Sequence, residues 1–406
     1  MKIAIIGGGA SGMMAAITAG QDHEVTIYER NERIGKKLLA TGNGKCNFSN
    51  KNFSMDAYYQ RYTDQLQQIF QGFSVEDTIH FFEQEGMLIK DREGYLYPFS
   101  EQASTVLDLL RMKLQECHVR LCTDTEVTAV SRTDRGFLVN GKESYDRLIL
   151  SCGSPASWKK ETKFWGYQLA EKLGHTIQLV VPSLVQLRSG EPYFKSIAGV
   201  RCQAVLQLYA DQKLIQEEGG ELQLTEYGLS GIPTFQLSRM AAYALHNKQN
   251  VCVSVNFLPH IRMEELEQNI KKRYEYQKQK TLEEFFTGLC NKKINLWLIK
   301  QVGYRPSTLT GELTLHQIYA LAASYQQVRI PIQAANPLEN AQVCAGGVCM
   351  DEVNSRMESR LVPGLYFTGE LLDVDGKCGG YNLQWAWTSG YLAGKYAAGR
   401  SDRMED

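Results

Sequence analysis

Near the start of the chain, Gly7-Gly8-Gly9-Ala10-Ser11-Gly12 has the spacing Gly-x-Gly-x-x-Gly. In that spacing the first glycine allows a tight turn, the second lets a pyrophosphate approach the backbone, and the third lets a helix pack on a strand. Glu29 follows 17 positions after Gly12, where a carboxylate can accept from a ribose diol. Near the other end, Gly379-Gly380-Tyr381-Asn382-Leu383-Gln384 reads as the opening of a second helix. It comes after Thr368-Gly369-Glu370 and Asp373-Val374-Asp375-Gly376. A helix opening offers free N–H groups and the positive end of a dipole to an anion. One opening serves a nicotinamide dinucleotide. A second suits a flavin, whose reduced ring carries negative charge at N1 and the C2 carbonyl oxygen, with Glu370 or Asp373 for the ribityl or pyrophosphate region. Between these blocks runs the polar loop Gly35–Asn47, where Lys36 or Lys37 can offset phosphate charge. Cys46 beside Lys45 could have a lowered thiol pKa, but with no resolving cysteine in view a plain packed thiol is the favoured reading.

The elements around these residues read consistently. Lys2–Ile6 is a short apolar run typical of a buried parallel strand, 10–19 is a helix of small residues, and Glu24–Tyr28 is a second strand. Strand-like runs at 88–99, 125–130, 136–139 and 147–151 are separated by Asp/Asn/Gly turns, and 101–116 is an amphipathic helix. Short alternating strands fill 186–258. A charged helical stretch follows, in which Lys271, Lys272, Arg273, Lys278 and Lys280 form a solvated face. The chain closes with a helix over 382–398.

Composition excludes several classes. The 406 residues carry 44 Lys+Arg against 45 Asp+Glu, so no general attraction to nucleic acid or acidic lipid is expected. No apolar run reaches the ~18 residues of a membrane span, and no signal peptide is read at the start. The ten cysteines form no Cys-x-x-Cys pair and the seven histidines are scattered, so no metal site is expected. Reduced thiols and a cytoplasmic location follow from the same reading.

On the blocks 5–12, 35–47, 182–200, 225–233 and 345–390, the chain resembles the bacterial HI0933-like flavoproteins, often described as aminoacetone-oxidase-like. The resemblance implies an α/β fold: a Rossmann-like FAD-binding domain of the glutathione-reductase type (two-dinucleotide-fold flavoproteins), with an inserted β-rich, barrel-like domain and a small helical domain. The expected bounds are 1–185 and 339–406 for the FAD-binding domain, 186–258 for the β-rich part and 259–338 for the helical part. It implies FAD on Gly7, Gly9, Ser11, Gly12, Glu29, Lys36, Asn43, Gly44, Asn47, Gly369, Glu370, Asp373, Gly380, Asn382 and Leu383, with the Val127 backbone at adenine. Ala10, Arg30, Lys37, Cys46, Gly153 and Tyr381 complete the cofactor set. The chain departs from the family at 151–167, where Trp158, Trp165, Lys159, Lys160 and Lys163 replace a glycine- and serine-rich run. It also carries Glu226 where relatives often have His.

The expected activity is an FAD-dependent oxidoreductase transferring hydride at flavin N5 to or from a small molecule, with Tyr381 and Tyr227 as proton-transfer candidates. No second Gly-x-Gly-x-x-Gly follows a strand, so NAD(P)H, if it is the donor, has no domain of its own. Two forms stay open: an enone reductase of the bile-acid type drawing on NAD(P)H, or an amine-oxidase type using dioxygen. The alternatives are a flavin-dependent RNA-modifying enzyme and a flavin redox sensor without turnover. A monomer or homodimer acting on a small molecule, without nucleic acid or membrane partner, is the expected state.

Overall fold

The computed structural model describes residues 1–59, 62–158 and 164–400. They form two compact units, Met1–Val180 with Val343–Asp406, and Val181–Gln342. Lys159, Lys160 and Lys163 lie outside the described residues.

The first unit is built on a parallel five-stranded sheet. Its order is Leu365–Phe367, Arg147–Leu150, Lys2–Ile6, Glu24–Tyr28, Arg120–Cys122. Ile3, Ala4 and Ile5 are fully buried, as expected of a strand covered on both faces. The Arg147–Leu150 strand sits between the N-terminal and the C-terminal strands, so both ends of the chain lie in one sheet.

Two helices face each other across this join: the opening helix Ala10–Gly20 and the closing helix Tyr381–Ala397. A Cβ on Gly390 would fall 2.4 Å from the Ser11 carbonyl oxygen, and one on Gly394 would fall 2.4 Å from that of Ala15. Only glycine permits such contact. Both contacts advance by four residues in the same direction, so the helices run parallel and open toward the same end. Beyond the Ser11–Gly390 level the opening helix extends one residue and the closing helix nine. At 1.5 Å per residue the two openings are staggered by about 12 Å.

Buried polar groups lock the arrangement. Trp387 Nε1 donates to Phe48 O at 2.9 Å and Trp385 Nε1 to Gly369 O at 3.0 Å. The buried Gln384 amide accepts from Ser49 Oγ (2.6 Å) and donates to Thr78 Oγ1 (2.9 Å). The expected strand over 125–130 is present only at Val130, where Val130–Thr133 begins. Thr125, Val127 and Thr128 before it are β-branched but have no partner strand. The Asn140 amide holds them instead, accepting from Thr128 N (3.0 Å) and donating to Glu126 O (2.9 Å).

In the second unit a seven-stranded sheet orders Val328–Ile332, Val251–Asn256, Arg201–Ala210, Lys213–Thr225, Gly228–Gly231, Leu187–Arg188 and Ala334–Ala335. Helices Ile232–His246, Met263–Tyr276, Lys292–Gln301 and Leu315–Ala323 share its apolar core, in which Leu206, Val253, Leu237, Leu298, Leu321 and Ile330 are buried. The β-rich and helical stretches therefore bury one common core. Arg273 does not join the solvated face expected of its neighbours. It donates to Phe285 O and lies 5.0 Å over the Phe285 ring, and burial lowers its pKa.

His175 is buried in the first unit, with Nε2 2.9 Å from Ser359 Oγ. Its Nδ1 lies 3.1 Å from Glu352 Oε2 but is not aligned for a hydrogen bond. Burial outweighs the attraction of Glu352 and holds the imidazole below its ordinary 6.5. The unfolded chain then binds a proton that the folded chain refuses. Stability should be full above about pH 6.5 and fall as the pH drops below it. In His175→Gln, urea unfolding between pH 7 and 5 should lose this part of the slope; an unchanged slope would assign it to other groups. Separately, Gly390→Ala and Gly394→Ala should each cost about 1–3 kcal/mol by overpacking, read from the urea midpoint.

Candidate functional site

The glycine turn divides by role. Gly7 has φ +111°, and a Cβ there would lie 2.3 Å from Ser151 O. A Cβ on Gly12 would lie 2.0 Å from Gly7 O. These two glycines are required by the turn itself. A Cβ on Gly9 would meet nothing within 4 Å, so nothing in the protein demands a glycine there. Gly9 caps the opening helix without a side-chain bond, and the first turn has no acidic residue. The N–H groups of Ala10, Ser11 and Gly12 thus have no capping side chain at the positive end of the dipole. The Ser11 hydroxyl is occupied: it accepts from Thr368 Oγ1 (3.0 Å), which in turn lies 2.6 Å from Ser151 Oγ.

Glu29 is buried beside this turn. One oxygen accepts from Gly8 N at 3.0 Å; the other accepts from Asn31 N (2.9 Å) and Asn31 Nδ2 (2.6 Å). The carboxylate is braced, with lone pairs left over for a diol. The adjoining Arg30 guanidinium lies 3.2 Å over the Trp158 ring, and burial lowers its pKa. Val127 is buried between Glu126 and Thr128, the two residues gripped by Asn140.

The loop after Gly35 has three fates. Lys37 Nζ pairs with Glu370 Oε2 at 2.6 Å, and Ser154 Oγ donates to the same oxygen at 2.8 Å. Lys36 is exposed. Asn43 and Gly44 are exposed with φ +55° and +83°, and a Cβ on Gly44 meets nothing within 4 Å. The same is true of Gly153, at φ +68°. With its nitrogen facing carbonyls, the Asn47 amide donates to Leu96 O (3.0 Å) and Ser49 O (2.9 Å). Cys46 is not an activated thiol. It is fully buried, and burial pushes its pKa up to about 12. Lys45, the expected activator, instead pairs with Glu101 at 3.3 Å.

At the C-terminal end Gly369 has φ +62° and donates its N–H to Ser389 Oγ at 2.9 Å. Asp373 is buried and accepts from Gly346 N at 3.1 Å. Gly380, at φ +93°, caps the closing helix, where a Cβ would fall 2.4 Å from Ser49 O. This first turn also lacks a side-chain cap and an acidic residue. The Asn382 amide binds Gly376 N and O, each at 2.9 Å, and so shapes the preceding loop. Leu383 is half-buried. Tyr381 OH donates to Asn52 O at 3.1 Å, and burial raises its pKa. Tyr227 belongs to the second unit. Its hydroxyl lies 3.4 Å from Asn336 Nδ2, and the Arg188 guanidinium lies 5.5 Å over its ring.

The first unit thus brings together two uncapped helix openings, a braced acid between them in sequence, and three glycines with room at Cβ. Those features fit an extended dinucleotide. Asn31, Ser151, Ser154 and Thr368 were not singled out from sequence. They serve the site by holding Glu29, Ser11 and Glu370. The one local signal was an Asn two positions after the acid. Among the described residues, no cluster of His, Cys, Asp and Glu is placed to hold a metal, and no helix is long and apolar enough to cross a membrane.

A family model described as "HI0933-like protein Rossmann domain" matches residues 1–396. A 3-dehydro-bile acid delta(4,6)-reductase of Clostridium scindens is 41% identical over 98% of this chain and 99% of its own. A ribosomal RNA dihydrouridine synthase of Escherichia coli is 28% identical over 95% of both chains. A solved 3-ketosteroid delta1-dehydrogenase of Sterolibacterium denitrificans covers 98% of this chain and 99% of its own, at 13% identity and a TM-score of 0.48.

The roles of the glycines are separable. Gly9→Ala should leave the unfolding free energy of the apoprotein within about 1 kcal/mol of the parent, the usual range for a helix cap. It should nonetheless lower the nucleotide content of the purified protein. Gly12→Ala should lose both stability and nucleotide, measured by urea unfolding and by absorbance after denaturation.

Proposed function

The chain belongs to the HI0933-like family, and on that footing we propose that it is an FAD-dependent oxidoreductase that saturates a carbon–carbon double bond conjugated to a carbonyl in a steroid-like acid. The observation that carries this reading is the end-to-end similarity to a reductase of 3-dehydro-bile acids. The two staggered helix openings support the choice of a flavin dinucleotide over a nicotinamide one. When bound, FAD supplies a two-electron reducing equivalent at N5.

The residues of the chain do the rest. The N–H groups of Ala10, Ser11 and Gly12 would receive the pyrophosphate, with room left at Gly9. Glu29 would accept from the ribose diol, and the Val127 backbone would meet adenine. Lys37, Ser154 and Glu370 form one bonded cluster that would hold the ribityl or pyrophosphate region. The closing-helix N–H groups at Tyr381, Asn382 and Leu383 would face the electron-rich edge of the ring. A proton must reach the carbon next to the carbonyl. Tyr381 carries its proton at neutral pH as any phenol does, and burial raises its pKa further, so it can donate a proton there but not serve as a base. To do so it gives up the bond to Asn52 O.

This reading favours the reductase form over the amine-oxidase form, with NAD(P)H as donor. The similarity to a ribosomal RNA dihydrouridine synthase favours a second reading, in which the same chemistry acts on a uracil ring. Anaerobic reduction of the purified yellow protein followed by reoxidation distinguishes them. A 3-oxo-Δ4 bile acid should reoxidise the reduced flavin band faster than a uridine-containing ribosomal RNA transcript does, and a small amine should fail to bleach the oxidised band. The reverse order overturns the proposal. Tyr381→Phe should slow the bile-acid step about 100-fold while leaving flavin reduction intact, with Tyr227→Phe as its comparison.

A further inference from the structure

The hairpin Ile89–Arg92/Tyr95–Pro98, in the first unit, has one face that the reading above leaves unused. Lys90 lies opposite Tyr97 and Arg92 opposite Tyr95; Phe99 N donates to Leu88 O at 2.8 Å and continues the ladder. Directly opposed residues share a face. Leu88, Lys90, Arg92, Tyr95, Tyr97 and Phe99 therefore form one surface, while Leu96 and Pro98 turn inward. Leu88 is 73% and Phe99 63% exposed, high values for side chains of their kind.

The charge on this surface is convergent. Lys45 (3.3 Å), Lys90 and Arg92 all pair with Glu101. Together Lys90, Arg92 and Lys45 hold its carboxyl at about 2. One carboxylate answers three cations, which leaves about two positive charges in one place. Asp91, on the opposite face, is matched by Lys51 at 3.0 Å; Glu93 stands at the turn tip. Arg92 also lies 5.6 Å over the Tyr97 ring. At the other end of the strand Tyr95 is packed on Gly379, where a Cβ would fall 2.6 Å from its ring. Gly379 immediately precedes the N-cap of the closing helix. From Tyr95 to Phe99 the strand spans about 13 Å.

We propose that this face binds the adenosine 2′-phosphate end of NADPH, the electron donor of the reaction, with Lys90, Arg92 and Lys45 on the 2′-phosphate and Phe99 against the adenine. The proposal rests on the reductase reading, which needs a donor and finds no second dinucleotide domain for it. Three cations gathered at one point match a single multiply charged group. A nucleic-acid backbone calls for a path of spaced cations instead. Only NADPH, not NADH, carries the 2′-phosphate. In overall balance NADPH gives up two electrons and one hydrogen and leaves as NADP⁺. The medium supplies one proton, and the conjugated double bond becomes a single bond carrying both hydrogens.

The test uses the flavin-loaded protein. By calorimetry 2′,5′-ADP should bind at least about tenfold more tightly than 5′-AMP, the worth of one charged hydrogen bond or more. In Lys90→Ala/Arg92→Ala this preference should disappear. The KM for NADPH should rise about tenfold or more while kcat and dithionite-driven enone reduction hold. Phe99→Ala, on a largely exposed side chain, should weaken 2′,5′-ADP and 5′-AMP alike. Equal use of NADH and NADPH by the parent protein overturns the proposal, as does an unchanged KM in the double variant. Salt-sensitive loss of RNA binding in place of nucleotide binding overturns it too. Dithionite-driven enone reduction keeps the outcomes apart: if it proceeds while the nucleotide arms fail, only this proposal falls, and if no flavin is bound the reductase reading falls.

Discussion

The contact of Gly390 and Gly394 with the opening helix is the constraint on which the site depends. Side chains at those positions would push the closing helix away from the carbonyls of Ser11 and Ala15, 2.4 Å from where each Cβ would stand. The opening helix answers with small residues of its own, so the two axes approach closely and stay parallel. From this one contact follow the common direction of the two openings and their stagger. The hydroxyls of Ser11, Thr368 and Ser151, from three distant stretches of chain, bond in sequence across the join. Breaking that chain would leave a buried hydroxyl unpaired, at about 1–3 kcal/mol.

Electrostatics then make both openings receptive. Helices Val75–Gln84, Leu282–Phe285 and Leu315–Ala323 close their own starts with Ser or Thr capping boxes. The opening and closing helices start at glycine, without a cap and without an acid in the first turn. The acids nearby are engaged elsewhere: Glu29 by Gly8 and Asn31, Glu370 by Lys37 and Ser154, Asp373 by Gly346. Each carboxylate is held to one side, and the dipole of each helix start remains for a ligand.

Sequence alone made the strand–turn–helix legible because its requirements are local. A positive φ at Gly7 and the crowding at Gly12 are properties of the turn itself. The closing helix was legible for the same reason at Gly380. The packed thiol that the sequence favours at Cys46 is what folding gives, with Lys45 turned to Glu101. What depends on distant partners was not legible. Arg273 sits in a charge run, yet its carbonyl partners are 12 and 14 positions away. The stretch 125–129 has strand composition and no strand to pair with. Gly390 and Gly394 were visible as glycines four apart in an apolar helix, but their meaning lies in Ser11 and Ala15, nearly 380 positions earlier.

The two relatives with contrasting substrates share a chemical demand: saturation of a double bond activated by a neighbouring carbonyl. A site built from helix openings and a braced acid serves the dinucleotide and is indifferent to what is reduced. The choice of acceptor must therefore come from surface and charge elsewhere in the chain. Here the balance of 44 basic against 45 acidic residues offers no general field for a polyanion. The most basic stretch is further reduced by the withdrawal of Arg273 into contact with Phe285, which leaves lysines interspersed with glutamates on the exposed side. Binding along a nucleic-acid backbone draws on several phosphate contacts at once, whereas a steroid-like acid brings one carboxylate and a large apolar surface.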